Sequence, residues 1–260
     1  MSASNPVAVH HVVTGPEDAP VVVLSNSMGA DLRMWDGIVD ALSEHFRVVR
    51  YDTRGHGHSP DAPGPYSMDD LADDVVALLD TLGVERAHIV GLSLGGMMGM
   101  RLAARDPERV DRLVALCTGA HLDVGPAYTE RAAQVRAEGT GSVAEGVVSR
   151  WFTPAYLEAN PDVRDYHVAM CAATSAEGYA GSCESIAAMD LRPDLASIAA
   201  PTLAIAGADD PATPPPYLRE IADGVQDGRL VVVPDAAHLA AAQQPEAVAA
   251  AILDHLGVQS

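Results

Sequence analysis

A short apolar run, His88-Ile-Val-Gly91, passes directly into Gly91-Leu-Ser93-Leu-Gly95, and an Ala/Met/Leu-rich helical pattern over 94–105 follows at once. A serine squeezed between a strand and a helix by so little chain sits in a strained turn, with φ > 0 expected, at a cost of roughly 1–3 kcal/mol. Glycines two places before and two places after it remove the Cβ atoms that would collide across the turn. The turn lifts the hydroxyl clear of the sheet edge and sets the next N–H, that of Leu94, beside it at a helix N-terminus. That geometry suits an acyl-transfer nucleophile. The bare pattern is common, so its meaning depends on what the rest of the chain supplies.

A serine hydroxyl needs a base to take its proton, and the base needs a third group to orient it. Asp210 lies in Gly207-Ala-Asp209-Asp210-Pro-Ala-Thr-Pro214, just past a strand-like run at 202–206. His238 lies in Pro234-Asp-Ala-Ala-His238, just past a second such run at 230–233. The order Ser93, Asp210, His238 is the one expected for a strand–turn–helix elbow. Asp209 competes for the carboxylate role, but the spacing to Gly207 and Pro214 favours Asp210. The oxyanion needs two N–H donors. Leu94 supplies one. The loop Ser25-Asn-Ser27-Met28-Gly29 supplies the other, with Ser27 preferred and Met28 next.

Other β-type runs, at 7–13, 21–24, 47–51 and 110–116, alternate with helical patterns at 33–43 and 69–82. The runs at 202–206 and 230–233 are likewise accompanied by helical patterns, at 217–223 and 246–256. Such alternation predicts a mainly parallel sheet with helices on both faces. Residues 121–195 break the pattern: they carry helical segments and no comparable β run. They read as a helical cap, inserted into a core domain made of residues 1–120 and 196–260, over the strand ends where ligands bind in open α/β sheets.

Composition narrows the chemistry. The chain has 260 residues with 36 carboxylates against 16 cations, a net charge of −20, which disfavours nucleic acid and anionic membranes as partners. Every cation is arginine, so lysine Schiff-base and Walker-type phosphate chemistry are excluded. The three cysteines, Cys117, Cys171 and Cys183, show no metal or disulfide spacing and read as small apolar fillers. Asp52, His56 and His58 crowd one glycine-rich loop, yet no further histidine completes a metal site, and a structural turn is the better reading. No cofactor is implied. The N-terminus lacks a basic segment followed by an apolar one, so a cytoplasmic protein is expected; the sequence leaves monomer or homo-oligomer undecided.

Several stretches together resemble the α/β-hydrolase superfamily, and within it the bacterial 3-oxoadipate enol-lactonases. They are Leu24-Ser-Asn-Ser-Met-Gly29, Met34-Trp35-Asp36, 47–57 with its Asp-Thr-Arg-Gly-His-Gly ending, and Gly64-Pro-Tyr66. The elbow, Arg150-Trp151-Phe-Thr-Pro154 and the Asp210 loop complete the set. Arg33 departs from the pattern, as does the lysine-free, acidic composition. The resemblance implies a mostly parallel eight-stranded sheet with an inserted cap, and hydrolysis of a small enol-lactone that carries an acetate side chain. Rival activities on the same triad are a broader carboxylesterase, a carbon–carbon bond hydrolase and a cofactor-free perhydrolase. A lactone-sensing protein on the same fold is the alternative of another class. An anionic lactone or ester needs a local cation on so acidic a chain. Arg131 on a cap helix is the candidate, with Trp151 as an apolar wall and Trp35 as a further lining residue.

Overall fold

The computed structural model describes residues 5–258. Two successive strands, β1 (His11–Thr14) and β2 (Val21–Ser25), are followed by an alternation of α1 (Asp36–Ser43), β3 (Arg47–Tyr51), α2 (Met68–Thr81), β4 (Ala87–Leu92), α3 (Leu94–Arg105) and β5 (Val110–Leu116). Five helices come next: α4 (Gly125–Glu138), α5 (Gly141–Val148), α6 (Pro154–Ala159), α7 (Pro161–Ala172) and α8 (Ala176–Ala188). The chain then returns through β6 (Thr202–Gly207), α9 (Pro215–Gly224), β7 (Gly228–Val233), α10 (Ala240–Gln243) and α11 (Pro245–Leu256).

The strands form one sheet in the order β1-β3-β2-β4-β5-β6-β7, parallel throughout except for β1, which runs antiparallel to β3. The central strands β4 and β6 are buried along their whole length, as continuous apolar runs with helices on both faces must be. Parallel strands present their carboxyl ends on one side, so the loops after β2, β4, β5, β6 and β7 converge there. This is the α/β-hydrolase architecture, and all five helices between β5 and β6 belong to the segment that lacked β runs.

Two expectations are corrected. The sheet has seven strands among the described residues, not eight. The β run expected over 7–13 forms a strand only from His11, because the preceding backbone is satisfied by side chains: Val7 N–H donates to Asp74 Oδ1 at 2.6 Å and His10 N–H to Ser59 Oγ at 2.8 Å. That early segment is pinned beside α2 and does not extend the ladder.

Local chemistry explains the element boundaries. Ser67 caps α2 by accepting from Asp70 N–H, and the Asp70 carboxylate accepts in return from Ser67 N–H at 2.8 Å. This capping box contributes about 1 kcal/mol. Pro107 ends the stretch after α3, and Gly257, at φ 91°, closes α11 in the left-handed region that glycine tolerates. No helix among the described residues is long and apolar enough to cross a membrane.

Beneath the sheet edge, Arg54 is fully buried and grips Asp74 with two bonds, Nε to Oδ2 at 2.6 Å and Nη2 to Oδ1 at 2.7 Å. Its guanidinium lies 5.2 Å from the Tyr66 ring centroid. A buried pair is costly to half-remove, since the survivor is left uncompensated. Arg54→Met is expected to lower stability by about 3–5 kcal/mol in urea unfolding. The double variant Arg54→Met/Asp74→Leu should recover at least half of that loss; no recovery would show that the pair holds the fold by more than mutual compensation.

Candidate active site

Ser93 adopts φ 56° and ψ −114°. Its backbone is held on both sides: its N–H donates to Leu116 O at 2.9 Å, and its carbonyl accepts from Thr118 Oγ1 at 2.7 Å. The flanking glycines are required by contact. A Cβ on Gly91 would strike the Gly95 carbonyl, and one on Gly95 would strike the Ser25 carbonyl. Gly95 N–H donates to Asn26 O at 3.0 Å, so the elbow and the loop after β2 interlock.

Asp210 and His238 meet at the carboxyl ends of β6 and β7, with His238 Nδ1 2.9 Å from Asp210 Oδ2. Asp210 Oδ1 accepts from Ala212 N–H at 2.8 Å and Thr213 N–H at 3.2 Å, and Thr213 Oγ1 donates to Oδ2 at 2.7 Å. Burial pushes the Asp210 carboxyl up, but the His238 charge and these hydrogen bonds outweigh it and hold the pKa below its ordinary value. An ionised Asp210 fixes the proton on Nδ1 and leaves the Nε2 lone pair of His238 for a substrate-side proton. Asp209 is exposed, and its backbone N–H binds Ala236 O.

Ser93 and His238 share a cavity of about 180 Å³. Met97, Leu122, Val124, Val147, Ile186 and Trp151 form its apolar walls, and Tyr128, Arg131, Arg150 and Tyr179 its polar side. Arg131 lies 4.8 Å from the Tyr128 ring centroid. Burial opposes its charge, while Tyr179 and Tyr128 beside it favour that charge and leave its pKa raised. The Tyr179 side chain is fully buried, and its hydroxyl has no hydrogen-bond partner among the described residues. A volume of this size suits a small acyl group and excludes long chains.

Two of the expected residues sit otherwise than the sequence suggested. Trp35 is fully buried and donates its indole N–H to Asn26 Oδ1 at 2.8 Å; it braces the loop after β2 and does not line the cavity. The Ser27 N–H is already directed at Met34 Sδ, 3.3 Å away. Gly29 N–H donates to His56 Nε2 at 3.0 Å, so of the N–H groups at 27–29 that of Met28 is the one with no acceptor among the described residues. His56 is buried, its pKa lowered by burial, and its Nδ1 binds Arg54 O at 3.0 Å. Asp52 accepts from Leu32 N–H at 2.8 Å and His58 N–H at 2.9 Å. The histidine-rich loop therefore scaffolds the loop after β2.

Gln243 is a residue the sequence did not single out. Its Oε1 accepts from Ala237 N–H at 3.1 Å and Thr153 N–H at 3.2 Å, and its Nε2 donates to Thr153 Oγ1 at 2.7 Å. Leu239 N–H donates to Trp151 O at 2.8 Å. Both neighbours of His238 are thus tied to the Trp151–Thr153 segment. Cys117, in contrast, has its thiol pKa pushed up by burial and then by Asp210, which makes it a poor nucleophile despite φ 44°.

The chain is similar to known proteins in both sequence and fold. Residues 20–148 match the family model described as alpha/beta hydrolase fold. The chain is 38% identical to 3-oxoadipate enol-lactonase 2 of Acinetobacter baylyi, over 93% of this chain and 90% of that protein. The crystal structure of the enol-lactonase from Burkholderia xenovorans LB400 superposes with a TM-score of 0.93 and 42% identity, covering 95% of this chain and 96% of that one. A thermophilic esterase from Thermogutta terrifontis, with malate bound, superposes with a TM-score of 0.89 and 31% identity, covering 95% of this chain and 92% of that one.

Two measurements probe the site's construction. Ser93→Gly relieves the positive φ, and Ser93→Ala keeps it. The glycine variant should therefore be the more stable of the two by about 1 kcal/mol, roughly 2 °C in Tm for a chain of this size. Gln243→Ala should lower kcat about tenfold with a smaller change in KM, and Gln243→Glu, which keeps the acceptor for Ala237, should restore most of it. Equal loss in both variants would mean that Gln243 serves packing alone.

Proposed function

Because the chain belongs to the α/β-hydrolase family and is a carboxylic-ester hydrolase, we propose that it opens 3-oxoadipate enol-lactone to 3-oxoadipate. Ser93 Oγ attacks the lactone carbonyl as His238 Nε2 takes its proton, with Asp210 holding the imidazole. The N–H groups of Leu94 and Met28 receive the oxyanion; losing one such donor in comparable enzymes costs about 10²–10³ in rate. The ring oxygen leaves as an enolate, collects the proton from His238 and tautomerises to the ketone. Water, activated by His238, then releases the acyl group from Ser93. Residues 121–195 serve as the cap over a core made of 1–120 and 196–260.

The observation that carries the substrate reading is a small cavity over Ser93 that presents two arginines, the deeper Arg131 and the exposed Arg150, and no carboxylate among the described residues. An enol-lactone with an acetate arm has one reacting carbonyl and one charge, and the cavity offers a counterpart for each. Trp151, nearly fully buried, walls the apolar ring. The similarity to proteins described as enol-lactonases supports the same choice. A neutral-ester hydrolase would gain nothing from a partly buried arginine at this place.

The test gives purified protein freshly generated enol-lactone and follows its ultraviolet loss. Wild type should accelerate it through many turnovers, and Ser93→Ala should reduce kcat by at least 10³. Arg131→Ala should raise KM for the lactone about tenfold or more. An unaccelerated lactone would overturn the substrate while leaving the hydrolase standing; an unchanged KM would remove Arg131 from the site.

A further inference from the structure

Most arginines of this chain are held by a carboxylate within 4.0 Å. Among the described residues Arg47, Arg112, Arg131 and Arg150 are not. Arg47 and Arg112 lie near the amino ends of β3 and β5, on the far side of the sheet from the cavity. Arg131 and Arg150 are together, and both line the cavity over Ser93. With 36 carboxylates to 16 arginines, two uncompensated cations side by side form a local exception to the field of the whole molecule.

The same two side chains also line a depression of about 460 Å³ on the outer surface between α4 and α5. Arg131, Val147 and Arg150 border both spaces, so the cavity and the depression meet across three side chains. Two of the three are long, rotamer-rich and unpinned by any carboxylate. Among the described residues no Asp or Glu lines either space. Gly146 also borders the depression, and a Cβ placed on it would meet nothing within 4 Å, so the groove floor there is open.

We propose that the groove between α4 and α5 is the entry port for carboxylate-bearing substrates, with the exposed Arg150 as the outer cation that captures the anion and passes it to Arg131. The inference rests on the anionic substrate class proposed above and adds a route and a second selecting residue. Capture at Arg150 offsets the repulsion an anion meets elsewhere on the surface. Transfer to the half-buried Arg131 then places the carboxylate at the depth where the acyl carbonyl reaches Ser93. Rim charges act mainly on association and are screened by salt, because the Debye length is about 10 Å at 0.1 M.

The probes are monomethyl adipate and methyl hexanoate, esters of equal acyl length that differ in one carboxylate, with acid release followed in a pH-stat. For wild type, kcat/KM of the anionic ester should fall as salt rises from 20 to 500 mM, while that of the neutral ester stays nearly level. Arg150→Gln should lower the anionic-to-neutral ratio of kcat/KM about three- to tenfold at 20 mM salt and flatten the salt dependence. Gly146→Phe fills the groove from an open position and removes a helical glycine, so Tm should hold or rise while kcat/KM falls several-fold for both esters. An unchanged ratio and salt slope in Arg150→Gln would overturn the capture role. Undiminished turnover in a folded Gly146→Phe would overturn the route. If wild type shows these ester effects yet leaves the enol-lactone untouched, the port stands and the lactone assignment fails. If the lactone turns over and both variants match wild type, the reverse holds; turnover of none of the three substrates overturns both.

Discussion

The close approach of two loops, the elbow after β4 and the turn after β2, is the contact on which the rest of the site depends. Gly95 lies so near Ser25 that no side chain fits between them, and its N–H is bound to the Asn26 carbonyl. That contact fixes the distance between the Ser93 hydroxyl and the donors on both sides of it. Asn26 is itself held from two directions, by the Trp35 indole and by the Tyr51 carbonyl. Ser25 Oγ is bonded to the Tyr51 hydroxyl at 2.7 Å. The strain at Ser93 persists because Leu116, at the end of the neighbouring strand, and Thr118, just past it, hold its backbone from the other side. Rigid packing between adjacent parallel strands thus supplies preorganised donors, the largest single contribution in many acyl-transfer enzymes.

The proposed chemistry and the proposed selection fall in two parts of the chain. Ser93, Met28, Asp210 and His238 sit on loops at one end of the sheet, with Leu94 opening α3 beside them, and strand geometry sets their positions. Arg131, Arg150, Trp151 and Tyr179 come from the segment between β5 and β6. The division accounts for the electrostatics. A molecule of net charge −20 has little long-range attraction for an anion, so the cations that matter must be local and free of their own carboxylates. The insertion supplies two such arginines at the cavity, while Arg136 on the same helix as Arg131 is consumed by Glu177 and Glu184.

What could be read from the sequence follows from how each feature is encoded. Ser93, Asp210 and His238 were legible because each follows a strand-like run, and because glycine spacing around a turn carries direct backbone information. The helix over 94–105 and the strand over 110–116 were legible for the same reason. The side-chain bracing was not. Trp35 looks equally suited to core or pocket until its indole is seen on Asn26, and Ser27 is a natural donor until its N–H is seen aimed at Met34. Whether a backbone N–H is free depends on partners seven or more residues away, which no local pattern records. Gln243 lay hidden for a related reason: a glutamine in an alanine-rich helix is featureless in one dimension and a three-bond clamp in space. The eighth strand was an expectation taken from resemblance, and only seven β-type runs were present to meet it.

The clamp has a consequence for how the two parts work together. Trp151 walls the cavity with its ring and accepts the Leu239 N–H with its carbonyl, so one residue faces the ligand and holds the neighbour of His238. Gln243 makes a second tie from Thr153 to Ala237, on the other side of that histidine. A ligand seated against Trp151 therefore presses on the element that sets the imidazole's position. Hydrogen bonds of 2.7–3.2 Å on both sides leave the loop little freedom to absorb that pressure independently. Near-attack geometry tolerates errors well below 1 Å before rates fall steeply. Under the proposed mechanism, binding that completes the apolar wall and alignment of the base are two results of one packing arrangement, through which the helical segment between β5 and β6 acts on the loops of the sheet.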